Sequence, residues 1–291
     1  MKKILTIWAL LMSVCYAQSK AGFYVVGGKI ITVQDTSSRK YLKAIENAGV
    51  VPSVLQNFTS NYLVTSEKEI GVYSIIDVQW PFIGGTAATH SINQINPSGS
   101  FNLSFNAGFV HSSGGIKGNG SSSFANTFYN PSTQITNLNQ FSAMLYTDGS
   151  TDTGIDLGLI FGSTNRIALT SKFLSGGNAS SQLYDVSSTL ALSNLFTSKG
   201  AFIANRQSIT SNKLWRNGLV INSNTTSNPL ANLSTLNGNV SISALVSTTG
   251  TAFNFTARRQ QYVAFFDGVL TDSQSEKQSH IVTFTQSLLG R

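Results

Sequence analysis

The sequence predicts an all-β fold, a two-sheet antiparallel jelly-roll sandwich, with a small mixed region before it and a helix after it. Short β-branched and aromatic segments, separated by Gly-, Asn- and Ser-rich turns, follow one another from Trp80 almost to the end. Strands at this density are typical of sandwiches. Helical spacing of apolar residues returns only at the C-terminus, where Ile281, Phe284 and Leu288 recur.

Residues 1–17 have the pattern of a signal peptide. Lys2 and Lys3 precede an apolar run from Ile4 to Val14, and small residues lead to Ala17. The run is shorter than the ~20 residues that span a bilayer. We expect cleavage after Ala17 and a secreted or cell-surface location. A lipoprotein signal acylated at Cys15 is the alternative, although Val14 stands where such signals prefer a smaller residue.

Cleavage at this point would remove the only cysteine, which leaves neither a disulfide nor a thiol nucleophile. The rest of the chain is long enough to build a core without them. No later apolar run predicts a membrane span.

The composition argues against nucleic acid as a partner. The formal net charge is +7, but only 11% of residues are charged and the basic ones are scattered. Nucleic-acid binding normally needs a clustered basic face. A surface rich in Ser, Thr, Asn and Gly suits glycan contact.

Residues 18–79 predict a small mixed α/β lead-in that packs on the main body. Lys29–Val33 is typical of a short strand, and Arg39–Ala48 of an amphipathic helix. A second short helix at Ser53–Ser60 is an open alternative for an ambiguous stretch. Val72–Val78 is apolar enough for a buried strand.

The predicted sandwich extends over 80–270. Phe101–Phe109 alternates apolar and polar residues, which predicts a strand with one wet face, and a Gly- and Ser-rich loop follows at 112–123. Asn217-Gly218 between apolar arms predicts a hairpin. The other expected strands are Phe141–Tyr146, Ile155–Phe161, Ile167–Leu169, Ala201–Ala204, Leu214–Ile221, Val240–Val246 and Tyr262–Phe266.

Residues 271–291 predict a single amphipathic helix packed on the sandwich. Thr271 and Gln274 have the spacing of a capping box, and Gly290 is a typical helix stop.

Several motifs occur in an order that is similar to one known group of proteins. They are Pro81–Asn93, Phe124–Phe128 with Pro131-Ser132, Trp215–Gly218, and Phe265–Arg291 with its Gly268–Asp272 segment. This order resembles concanavalin A-like, laminin-G-like jelly-roll modules of phage and prophage structural proteins, and related exported bacterial proteins. The resemblance covers roughly 41–291 and implies two antiparallel sheets with a surface or glycan-binding role. The export signal departs from the phage pattern and favours a bacterial surface or secreted protein.

Catalysis is not expected. Retaining glycosidases need two carboxylates about 5 Å apart, yet no Glu occurs between Glu69 and Glu276. The sequence also lacks a Gly-x-Ser-x-Gly elbow.

Three aspartates, Asp148, Asp152 and Asp156, form the candidate metal site. Carboxylates close together in a loop can supply oxygen ligands for calcium, which is the one cofactor the sequence suggests. Asp and Gly are also common in ordinary turns, which is the alternative.

His90, His111 and Trp215 are the candidate binding residues. The histidines lie near the start of the body and could come together, although a two-His metal site would need a further ligand. An exposed Trp215 could stack on a sugar ring. Structural histidines and a core tryptophan are the alternative readings.

The leading hypothesis is a non-enzymatic module that recognises a glycan or cell-surface polysaccharide. A structural component of a virion or fibre, assembled as a homo-oligomer, is the alternative, and a glycan-cleaving enzyme that depends on Asp152 is the third.

Overall fold

The computed structural model describes residues 23–26, 29–32, 34–137, 139–149, 152–161, 165–173, 178–184, 189–192, 197–225 and 237–291. Within these ranges the strands form two large sheets that pack on each other, together with a two-stranded ribbon of β1 (Phe23–Val26) and β2 (Lys29–Thr32). The predicted β-sandwich is confirmed. The predicted signal peptide, residues 1–17, lies outside the described residues.

The first sheet contains eight strands among the described residues, in the order β15-β14-β13-β8-β19-β6-β5, with β3 also paired to β19. All of its described pairs are antiparallel. Its strands are β3 (Ile76–Trp80), β5 (Val110–Ser112), β6 (Gly115–Lys117), β8 (Phe141–Thr147), β13 (Gly200–Ser208), β14 (Ser211–Arg216), β15 (Leu219–Asn224) and β19 (Arg259–Phe266).

The second sheet contains nine strands among the described residues, in the order β12-β11-β10-β9-β16-β7-β4, with β17 and β18 branching from β9. Its described pairs are antiparallel except β17 with β9, which is parallel. Its strands are β4 (Ser104–Phe105), β7 (Ala125–Asn126), β9 (Leu157–Phe161), β10 (Asn165–Phe173), β11 (Asn178–Tyr184), β12 (Leu190–Leu192), β16 (Ser241–Ile242), β17 (Leu245–Ser247) and β18 (Ala252–Phe253).

Five α-helices lie in the described ranges: α1 (Thr36–Asn47), α2 (Val54–Glu69), α3 (Ala87–His90), α4 (Pro131–Gln134) and α5 (Asp272–Leu288). A 3-10 turn covers Tyr73–Ile75. The capping box predicted at Thr271 and Gln274 starts α5. At α1 the cap is Asp35, whose carboxylate accepts the N–H of Ser37 at 2.8 Å. Of the helices described, none has the length and apolar character to cross a membrane.

The eight-stranded sheet has a hydrophobic core on each face. Leu145 of β8 points into the core between the sheets, whereas Met144 points into a second core under α2 and α5. Both faces of β8 are therefore buried, and its sequence shows no apolar–polar alternation. The helices α2 and α5 thus form a third layer on the outer face of this sheet.

The strand predicted at Phe101–Phe109 is largely absent, and only Ser104–Phe105 pairs. Phe101 and Gly108 have positive φ angles of 69° and 99°, which interrupt an extended strand. Asn106 bonds by its side chain to Ser122 O at 2.7 Å and to the N–H of Phe124 at 2.6 Å. In this segment, hydrogen bonds of the Asn106 side chain take the place of the backbone hydrogen bonds of a strand, which the alternation of apolar and polar residues predicted.

The hairpin predicted at Asn217-Gly218 is confirmed. Residues 217–218 connect β14 to β15, and their φ angles are 51° and 85°. Positive φ at both central positions is the geometry of a type I′ turn, which Asn and Gly favour.

Candidate functional site

The aspartates of the predicted calcium loop are engaged by protein donors. Asp148 Oδ2 lies 3.4 Å from Arg259 Nε. Asp152 Oδ2 accepts the hydroxyl of Thr256 at 2.9 Å and the backbone N–H of Ala257. In the part of the chain that the structure describes, no group of three or more His, Cys, Asp or Glu side chains is arranged to hold a metal ion.

Asp156 is the buried partner of Arg258. Its Oδ1 accepts Arg258 Nε at 2.8 Å and Gln260 Nε2 at 2.7 Å, and both side chains of the ion pair are fully buried. Its Oδ2 accepts the backbone N–H of Ser171 at 2.6 Å and the Ser171 hydroxyl at 2.8 Å. The described residues therefore do not support calcium at Asp148, Asp152 and Asp156. These carboxylates serve to hold the loop onto the sandwich.

The structure brings His90 and His111 together, with their Nδ1 atoms 3.1 Å apart. His90 Nε2 accepts the backbone N–H of Gly85 at 3.1 Å, so in neutral His90 the proton lies on Nδ1 and is donated to His111. The rings also contact Phe82 and Phe105 edge-to-face. The pair links α3 to β5.

Both histidines favour the neutral form. Burial, and then the neighbouring His111, lower the pKa of His90 to about 3, and burial lowers the pKa of His111. A second proton on His90 would lie on Nε2, against the Gly85 N–H, and a proton on His111 Nδ1 would face the Nδ1–H of His90. The sign of the His90 shift means that stability decreases as pH falls from about 6.5 toward 3, where only the unfolded chain is protonated. This arrangement matches the structural alternative, because His90 is buried, His111 is partly buried, and the two rings bond to each other.

Trp215 does not form a stacking surface. It is 5% exposed and belongs to the core under the helices, together with Ile203, its partner on β13. The prediction of Trp215 as a sugar-stacking residue is corrected by its burial, since a ring must be open to solvent to receive a ligand.

A cleft of about 380 Å³ opens on the nine-stranded sheet, and none of the described residues that line it is ionisable. We call it the amide cleft. It lies where β7, β16 and β17 meet the segment 237–239. Its polar lining consists of Asn126, Asn130, Asn237, Asn239, Ser241, Ser247 and Thr248.

Local hydrogen bonds position the asparagines of the amide cleft. Asn126 Oδ1 accepts the N–H of Phe128 at 2.8 Å. Asn130 Nδ2 donates to Asn237 Oδ1 at 2.8 Å, and Asn130 Oδ1 accepts the N–H of Ser132 at 3.1 Å. These contacts use the carbonyl oxygens of Asn126 and Asn237, whose NH₂ groups bond to none of the described residues. The side chain of Asn239 likewise bonds to none of them. The cleft therefore presents unused donors and acceptors.

Gly238 sets the shape of the amide cleft. A Cβ atom at this position would lie 2.9 Å from Leu159 Cδ1 and 3.1 Å from Thr248 Cα. Leu159 Cδ1 ends a flexible side chain, but Thr248 Cα belongs to the backbone of the opposite wall, so the segment 237–239 lies close to that wall because residue 238 lacks a side chain.

Two phenylalanines accompany the asparagines. Phe124 lines the amide cleft. Phe128 is 47% exposed and lies between the lining residues Asn126 and Asn130, while its neighbours Thr127 and Tyr129 are buried. Its φ is 56°, an unusual value for a residue with a bulky side chain. An exposed aromatic ring held in a strained conformation beside a cleft suggests a binding role.

No local sequence pattern predicted the amide cleft. Phe124–Phe128 contributed to the resemblance but was not recognised as lining a site. The available signal was the density of asparagines in 126–130 and 237–239, which is also what turn chemistry produces.

No protein-family model and no curated protein matches this sequence. Among solved structures, domain 4 of AbnA, a GH43 extracellular arabinanase from Geobacillus stearothermophilus in complex with arabinotriose, is 12% identical with a TM-score of 0.49. The match covers 70% of this chain and 98% of that one.

The receptor-binding domain of botulinum neurotoxin type G is 10% identical with a TM-score of 0.47, over 71% of this chain and 51% of that one. The K499G mutant of the NanB sialidase from Streptococcus pneumoniae is 11% identical with a TM-score of 0.38, over 50% of this chain. This match spans only 24% of the sialidase chain. These likenesses concern the fold alone. The resemblance to phage and prophage modules stays a prediction.

Proposed function

We propose that this protein is a non-catalytic binding module that holds a neutral glycan in the amide cleft. The observation that supports this proposal is the chemistry of the described lining residues, which combine asparagine amides and hydroxyls with the ring of Phe124 and include no ionisable group. A neutral ligand leaves no charge uncompensated in such a cleft.

The hydrogen-bond donors and acceptors that line the amide cleft support a polyhydroxylated ligand. Amide NH₂ and carbonyl groups act as donors and acceptors, and a sugar hydroxyl does both. The free groups of Asn126, Asn237 and Asn239 converge on a cleft whose volume of about 380 Å³ lies within the usual range for small-molecule sites. Phe128, exposed nearby, would cover an apolar sugar face.

A binding role without hydrolysis agrees with the carboxylate distribution. Glycosidases act through a pair of carboxylates that flank the scissile bond, and none of the described residues that line the amide cleft carries a carboxylate. Asp152, the residue on which an enzyme would depend, is occupied by Thr256 and Ala257. A secreted or cell-surface location, expected from residues 1–17, is part of the same proposal.

The test is affinity for neutral oligosaccharides, screened on an array and measured by isothermal titration calorimetry. In Asn239→Ala we expect about tenfold weaker binding of the best array ligand, which corresponds to ~1.4 kcal/mol and to the loss of a hydrogen bond or two. The exposed Gln140→Ala, just before β8, is the matched control, since it removes a side-chain amide outside the cleft.

An array with no neutral binder would contradict the proposal, as would equal losses in Asn239→Ala and Gln140→Ala. Light scattering on the same samples addresses assembly, because a stable large oligomer without glycan affinity would favour the virion or fibre alternative.

A further inference from the structure

A second cleft, of about 600 Å³, lies between helix α1 and the loop 95–98. Arg39, Lys40 and Lys43 line its helix side, and Asn96 and Ser98 line its loop side. We call it the basic cleft. It belongs to the helical part of the molecule and shares no residue with the amide cleft.

The helical repeat brings the basic residues to one wall. Lys40, Lys43 and Asn47 are spaced three and four residues apart, so they share one face of α1. Arg39 precedes Lys43 by four residues and extends the same wall. All four side chains are exposed.

The positive charge of the basic cleft is only partly balanced. Lys43 Nζ lies 3.0 Å from Glu46 Oε2. Neither Arg39 nor Lys40 forms an ion pair with any of the described residues. Like charges within one or two turns of a helix repel each other, and a bound anion would relieve this repulsion.

The walls of the basic cleft are held in place by the core. Tyr41, Leu42 and Ile45, on the opposite face of α1, pack against Ile83 and Ile92. Each of them is at most 7% exposed, so a rigid contact fixes the helix beside the chain that leads into the loop.

Hydrogen bonds fix the loop itself. The N–H of Ile95 donates to Asn93 Oδ1 at 3.1 Å, and the N–H of Gln94 donates to Gln79 O at 2.8 Å in β3. A cleft with both walls anchored loses little entropy when a ligand binds.

We infer that the basic cleft binds an acidic polysaccharide, through carboxylate or sulfate groups on the sugar units. The cations supply the attraction for these groups. Asn47, Asn96 and Ser98 lie beside the cations and give hydroxyl groups of the same ligand their hydrogen-bond partners. A sugar chain presents hydroxyl groups on every unit to this lining, whereas an acidic peptide presents carboxylates and backbone amides, and poly-L-glutamate serves as the probe for that alternative.

The test compares two double variants that remove equal charge from the intact chain. Lys40→Gln/Lys43→Gln removes two positive charges from the lining of the basic cleft. Lys117→Gln/Lys277→Gln removes two exposed cations elsewhere. The probes are dextran sulfate for sulfate and polygalacturonate for carboxylate, titrated at low ionic strength by calorimetry.

We expect the cleft variant to lose at least tenfold in affinity for one of the probes and the control variant to lose less than twofold. Added salt should weaken wild-type binding, because exposed charges are screened. The stronger probe then identifies the anionic group. Thermal melts check that both variants remain folded.

Three results would overturn the inference: no binding of either probe by the wild type, equal losses in the two variants, or poly-L-glutamate binding as tightly as the polysaccharides. Affinity for neutral glycans at the amide cleft is measured separately with Asn239→Ala. A negative binding result for one cleft therefore leaves the binding result for the other cleft unchanged.

Discussion

At the scale of single residues, positive φ angles distinguish turn positions from sites where a bulky side chain is held under strain. Asn217 and Asn254, with φ of 51° and 52°, are residue types that tolerate this region. Phe128, at 56°, is not. Its amide is held by Asn126 Oδ1 at 2.8 Å, and its ring stays 47% exposed. The ring therefore contributes less to the core than its size would allow.

The Phe128→Asn variant should be more stable than the wild type and weaker in binding. Asn tolerates positive φ better than Phe, so we expect a gain of ~1 kcal/mol in the free energy of unfolding. Loss of the ring should reduce affinity for the neutral glycan. Urea denaturation and calorimetry measure the two effects. A variant that is less stable with unchanged affinity would show that the ring serves packing instead.

At the scale of elements, the contact between the helices and the eight-stranded sheet contains a buried polar network. Glu67, at the end of α2, is fully buried. Its carboxylate accepts Gln278 Nε2 of α5 at 2.8 Å and Gln79 Nε2 of β3 at 3.2 Å. Tyr262 of β19 donates to Gln79 Oε1 at 2.9 Å. The network joins two helices to two strands.

This network should make stability depend on pH. Burial raises the pKa of Glu67 from 4.5 to about 7, against the opposing effect of its hydrogen bonds. Between these values the unfolded chain loses a proton that the folded chain keeps, so stability decreases as pH rises from about 4.5 through 7. Glu67→Gln should abolish this decrease, which is on the order of 3 kcal/mol.

Denaturant titrations from pH 4.5 to 8 measure the effect, and Glu276→Gln, an exposed change on α5, is the control. Wild type and Glu67→Gln with parallel pH profiles would contradict the assignment to Glu67.

At the scale of the whole molecule, the ion pair of Asp156 and Arg258 joins the two sheets. Asp156 precedes β9 and accepts from Ser171 of β10, both in the nine-stranded sheet. Arg258 precedes β19, whose Gln260 also donates to Asp156, in the eight-stranded sheet. Arg258 additionally donates to the carbonyls of Gly154 at 2.5 Å and Lys172 at 2.7 Å.

Asp156→Ala should reduce the free energy of unfolding by about 3–5 kcal/mol, because it leaves the Arg258 guanidinium buried without a counter-charge. Asp148→Ala is the matched control. Its pair with Arg259 is partly exposed, and such a pair contributes at most about 1 kcal/mol. Chemical denaturation compares the two, and similar losses in both variants would refute the special role of Asp156.

The elements that the sequence predicted well are governed by neighbouring residues. The Asn217-Gly218 hairpin and the capping box of α5 depend on residues a few positions apart, and both are present. The strand prediction for Phe101–Phe109 was wrong because it used only the local alternation of apolar and polar residues. The conformation of this segment depends on hydrogen bonds between Asn106 and residues 122 and 124, across a loop.

The sequence by itself determined the β-sandwich class, the hairpin and the terminal helix, because residue type sets the local preference of the backbone. Only the tertiary structure decided that Trp215 is buried, that Asp156 pairs with Arg258, and that asparagines from 126–130 and 237–239 line one cleft. These contacts join segments far apart in the chain. These contacts depend on which strands pair and on which sheet faces are covered by helices or by the other sheet. No local sequence pattern encodes the strand pairing or the covering of a face.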